Sequence, residues 1–238
     1  MDPLDRTPAA PFAGTSTAAA ERATAFLRSV YGWMAAGLAI TAVVAYSIAS
    51  TPALVETVLM NRVLFLGLFV GQIALVFYLS ARVDRIAPGT ATLLFVIYAA
   101  LTGVTLSVIV LAYTGASIAT TFVVTAGMFG ALALYGSTTS RSLAGAGQFF
   151  FMGLIGLILA SVVGMFWHSE ALQFLISVVG VIVFTGLTAW DAQRLRQMAL
   201  SLPQGQVGSY AVVGALSLYL NFINLFLFML RFMGGRRE

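Results

Sequence analysis

The chain has 238 residues, of which 60% are apolar and only 8% charged, with a mean hydropathy of +0.98. A soluble domain carries about 25% charged residues; this few cannot cover a water-facing surface, so most of the surface must face lipid. The absence of cysteine excludes disulfides, thiolate metal sites and cysteine nucleophiles, and the single histidine, His168, excludes a histidine-based metal cluster within one chain.

All twelve basic residues are arginine, and the formal net charge is +4. The arginines are scattered at the ends of apolar runs. They form no basic face with interleaved aromatics on which a nucleic acid could lie, so the charge reads as a topology signal. The length suits one compact bundle.

Residues 1–24 are expected to be a disordered tail. Met1–Ala20 are rich in Pro, Ala and Thr, hold Pro3, Pro8 and Pro11, and lack the apolar run of a cleaved signal peptide. The first span can still act as an uncleaved anchor. Residues 25–235 read as a seven-helix transmembrane domain. Its apolar stretches run approximately Val30–Ser50, Val63–Ala81, Thr90–Ala112, Ser117–Tyr135, Gln148–Phe166, Ala171–Trp190 and Tyr210–Phe232. Each is close to the ~20 residues that cross ~30 Å of hydrocarbon. Pro52, Pro88 and Pro203 all fall in the connections. The runs are continuous rather than alternating, which selects helices over a barrel.

Small residues recur one turn apart at Gly67/Gly71, Gly127/Gly130 and Gly153/Gly156, a spacing that lets helix backbones approach closely. Arginine placement orients the bundle. The N-terminal segment and the second, fourth and sixth connections hold eight arginines, against Arg62 alone in the others. The N-terminus is therefore expected in the cytoplasm. Arg231, Arg236 and Arg237 then fall outside, against the rule.

Polar groups inside spans are costly unless partnered. In the seventh span Gly214, Ser217, Asn221 and Asn224 share one stripe, which serves either as hydrogen-bonded glue or as the lining of a cavity. At the end of the sixth span Asp191 is an acid at the edge of an apolar helix, with Arg194 one turn on and Trp190 fitting an interfacial belt. Gln72 reads as packing glue, and Glu56, His168 and Glu170 as residues of solvated loops. No nucleotide loop, zinc-protease motif or nucleophile elbow is present. Paired intramembrane aspartates would need a second acid, so neither an enzyme nor a cofactor is expected.

Three segments resemble the transmembrane Bax-inhibitor-motif family: Val30–Leu38 (Val-Tyr-Gly-Trp-Met-Ala-Ala-Gly-Leu), Gly186–Asp191 (Gly-Leu-Thr-Ala-Trp-Asp), and Ala215–Phe226 with its continuation Leu230-Arg231-Phe232. The resemblance implies an all-α seven-helix bundle with the C-terminal helix central. It also implies a pH-gated calcium leak, in which two aspartates near the cytoplasmic mouth share a proton and an arginine of the second helix latches onto them. Asp191 matches the first aspartate, and Arg82 or Arg85 the latch. The second aspartate falls on Asn221, an amide that cannot titrate, so weakened or altered pH gating is expected.

Two functions follow. One is a passive cation leak in a bacterial inner membrane, with calcium the expected ion, Asp191, Ser217, Asn221 and Asn224 along the ion pathway, and calcium touching Asp191 weakly and transiently. The other is a non-transporting regulator that binds membrane proteins, such as a membrane protease or stress and cell-death factors.

Overall fold

The computed structural model describes residues 13–167, 169–201 and 207–237, excluding the side chains of residues 13–20 and 165. The start of the expected tail, His168 and Pro203 lie outside these residues. The helices are α1 (Ala13–Ala49), α2 (Pro52–Leu54), α3 (Arg62–Arg82), α4 (Pro88–Ala112), α5 (Gly115–Thr138), α6 (Ala144–Phe166), α7 (Glu170–Ser201) and α8 (Val207–Met233). A single π-helical turn, Val55–Leu59, follows α2 and carries the exposed Glu56. Seven of these helices are long and apolar enough to cross a membrane.

Local chemistry sets the boundaries. Pro88 occupies the first turn of α4, where its missing N–H costs no hydrogen bond. Asn61 and Thr114 cap α3 and α5 by accepting from Leu64 N (3.1 Å) and Ser117 N (3.2 Å). Two helices outrun their hydropathy. The tail expected to residue 24 is helical from Ala13, and from Ala23 one face of the helix is buried; no proline interrupts the Ala-rich segment after Pro11. Likewise α7 continues past Trp190 to Ser201 through good helix formers, including Ala, Gln, Arg and Leu.

The last helix is the most buried. In its most apolar stretch 61% of residues are buried, against 11% for α3 and for α6. It packs on α1, α4, α5 and α7, whereas α3 packs mainly on α4 and α6 on α7. Tyr219 of α8 is fully buried, meets Phe95 and Tyr98 edge to face, and shares a 2.6 Å hydrogen bond with Thr41 of α1. Gln72, the expected glue, donates to Leu101 O (3.2 Å) and Thr105 Oγ1 (3.4 Å) on α4.

The glycines that let backbones meet are other than the expected pairs. A Cβ at Gly67, Gly71, Gly127, Gly130 or Gly156 would meet nothing within 4 Å, and at Gly153 only Val183 Cγ2 at 3.1 Å. Close approaches occur instead at Gly103, whose Cβ would lie 2.7 Å from Thr41 O, and at Gly136, whose Cβ would lie 2.0 Å from Ala189 O. The spacing showed which glycines share a helix face, but not which face meets a neighbour.

Candidate functional site

Asp191 lies on α7 where α5 crosses it, since Gly136 allows α5 to approach the Ala189 carbonyl two residues earlier. The carboxylate is buried, with the residue 5% exposed. An unpaired charge at such a position is expensive. Here both oxygens are matched. Oδ2 accepts from Ser217 Oγ (2.7 Å) and Asn221 Nδ2 (2.8 Å), and Oδ1 faces Arg194 Nη2 at 3.2 Å.

The two α8 donors are four residues apart, so one face of α8 presents both to the same oxygen. The third partner comes from α7 itself. Arg194 sits one turn beyond Asp191, and its guanidinium stacks 5.2 Å from the centroid of the Trp190 ring. That ring in turn covers Gly147 of α6, where a Cβ would fall 2.3 Å from it. Trp190 therefore braces Arg194 and packs α7 against α6.

The stripe expected on the seventh span is divided. Ser217 and Asn221 reach Asp191, whereas Asn224 donates to Leu220 O (2.8 Å) of its own helix. Arg82 and Arg85 lie at the same end of the bundle but are exposed, and the arginine paired with Asp191 is Arg194. Between them Asp84 accepts a short hydrogen bond from Tyr210 Oη, and Ser209 Oγ donates to Ile86 O (2.7 Å). These contacts tie the α3–α4 connection to the start of α8. A cavity of about 290 Å³ opens there, lined by Ser80, Val83, Arg194, Tyr210, Ser217 and Leu220, among others. Arg194 and Ser217 separate it from Asp191.

Sequence reasoning missed Gln193. Its buried amide accepts from Leu143 N (2.8 Å) and donates to Arg141 O (2.8 Å), clamping the α5–α6 connection beside the site. It also missed Thr125 of α5, fully buried with a hydroxyl that has no hydrogen-bond partner among the described residues. Neither position carries a local sequence signal: the partners of Gln193 lie about 50 residues away in the chain, and the burial of Thr125 is set by helix packing.

Seven apolar helices enclosing a buried, fully partnered carboxylate near one end define a multi-pass integral membrane protein. Residues 23–238 match the family described as inhibitor of apoptosis-promoting Bax1, and the chain belongs to that family. It is 51% identical over 215 residues to inner membrane protein YbhL of Escherichia coli K12, covering 89% of this chain and 92% of that one. An uncharacterized protein of Deinococcus radiodurans is 45% identical, covering 90% and 91%. Another, from Caulobacter vibrioides, is 41% identical, covering 90% and 89%.

Proposed function

We propose that this protein is a passive cation leak, with calcium as the ion, in the inner membrane and with its N-terminus in the cytoplasm. The observation that carries the reading is Asp191, a buried carboxylate held by Ser217 and Asn221 beside a cavity of about 290 Å³ at one end of the bundle. The inner-membrane location rests on the name of the YbhL relative together with the seven apolar helices.

Calcium takes six to eight oxygen ligands. One carboxylate with a hydroxyl and an amide offers few, which suits brief contact during permeation rather than storage. On this reading the conformation corresponds to a closed state: Arg194 pairs with the carboxylate, and beyond Asn221 the buried side chains of α8 are Phe222, Leu225, Phe226 and Leu230. Opening requires Arg194 to leave and α8 to part from its neighbours. The latch is accordingly assigned to Arg194 in this conformation, in place of the exposed Arg82 and Arg85.

Asn221 stands where a second acid would make a proton-sharing pair, so flux should vary only shallowly between about pH 6 and 8. Calcium entry into liposomes containing only this protein tests the proposal. The unmodified protein should leak, Asp191→Asn should reduce the leak and flatten what pH dependence remains, and Asn221→Asp should steepen it. Sealed liposomes with no flux at any pH would favour the regulator of membrane proteins instead. A steep pH switch surviving Asp191→Asn would place the sensor elsewhere.

A further inference from the structure

At the end of the bundle away from Asp191, α7 begins and α8 finishes beside a cavity of about 750 Å³, lined by Glu170, Gln173, Ser177, Arg231, Phe232 and Arg236, among others. Two arginines face one acid, so the cavity is positive. Arg231 Nη1 donates to Gln173 Oε1 at 3.1 Å, and among the described residues neither Arg231 nor Arg236 has a carboxylate within ion-pair distance. A guanidinium has five N–H donors, so most of those present remain available.

Arg236 is held in place although it lies beyond α8. It bridges Tyr113 in an antiparallel pair, while Gly235 N donates to Ser117 Oγ (2.9 Å), Thr114 N to Gly235 O (3.2 Å) and Arg237 N to Ala112 O (3.0 Å). The C-terminal segment is thereby clasped to the α4–α5 connection. At the rim, Phe174 and Phe232 lie with ring centroids 5.7 Å apart and are 58% and 55% exposed. Span ends are where acyl chains meet headgroups. The site thus pairs phosphate-matching donors with an exposed aromatic wall at interfacial depth.

We infer that this cavity binds the phosphate of an anionic phospholipid headgroup between Arg231 and Arg236, with an acyl chain lying along Phe174 and Phe232. The inference is independent of ion conduction. It also gives a role to arginines that stand on the side of the membrane where topology disfavours them.

The test is native mass spectrometry of the purified full-length protein in neutral detergent. Phosphatidylglycerol and phosphatidylcholine of matched acyl chains are titrated in, and inorganic phosphate is added as competitor. Phosphatidylglycerol should bind selectively. Arg231→Gln and Arg236→Gln should each weaken it roughly fivefold, the order expected for one basic side chain near an anionic headgroup. Arg62→Gln, which removes the same charge from the same face outside the cavity, should leave binding unchanged. Arg236 lies outside the helices, so its variant decides the matter even if Arg231→Gln unfolds. Equal binding of the two lipids, or equal loss in Arg62→Gln, would overturn the proposal. Displacement of the lipid by inorganic phosphate would make this a free-anion site and overturn the lipid assignment.

Discussion

Asp191 accepts from Ser217 and Asn221 on one oxygen and meets Arg194 on the other. These contacts differ in worth. Arg194 is 46% exposed, so solvent screens its pairing, and the two buried donors carry more of the stabilisation. Asn221→Leu leaves Oδ2 with Ser217 alone and should cost about 1–3 kcal/mol, read as a lower unfolding temperature in detergent. Asp191→Asn keeps an oxygen for both α8 donors, so it should destabilise less than Asn221→Leu. The reverse order would mean that the ion pair, rather than the α8 hydrogen bonds, holds the site. Much of this geometry was legible in the sequence, because the Ser217/Asn221 spacing and the Asp191/Arg194 spacing are properties of a single helix. The departure of Asn224 was not legible. Its position on the stripe is compatible with a bond across the bundle or back to its own helix, and only the depth of Asp191 decides between them.

Helix α5 crosses α7 at Gly136 with no room for a side chain, since a Cβ there would lie 2.0 Å from the Ala189 carbonyl oxygen. Backbone cannot yield as a flexible side chain does. Gly136→Ala should force the helices apart, cost about 1–3 kcal/mol or more, and disturb Asp191 two residues on. Gly130→Ala, on the same helix with nothing within 4 Å, should be neutral or gain the ~0.5–1 kcal/mol of better helix propensity. Thermal unfolding of both variants checks the pair, and equal losses would refute the contact. Hydropathy located every span because lipid burial is what it measures. It missed the continuation of α7 to Ser201, where Asp191, Gln193, Arg194 and Arg196 lower the hydropathy without breaking the helix. It was equally blind to Gln193, whose partners Leu143 and Arg141 lie 50 and 52 residues away.

Across the whole molecule, seven helices long and apolar enough to cross, taken in alternation, predict that the two termini lie on opposite faces of the membrane. The pairing of Tyr113 with Arg236 agrees, since it brings the end of α8 to the end of α4. Reporter fusions should show activity of opposite kinds at the two termini, with the N-terminal one cytoplasmic; matching signals would mean that one apolar helix does not cross. The clasp also makes a prediction. Ser117→Ala removes the acceptor for Gly235 N and should expose the last residues to carboxypeptidase sooner, while helical content is unchanged. The deep burial of α8 has a further consequence, for biosynthesis. The most buried of the seven apolar helices leaves the ribosome after the other six, so the spans inserted before it wait in the bilayer without the surface on which four helices pack. During that interval Asp191 has neither Ser217 nor Asn221. A chain stopped before Tyr210 should therefore insert its earlier spans yet remain loosely assembled, and pulse-chase labelling should find it cleared by membrane proteases faster than the full-length protein.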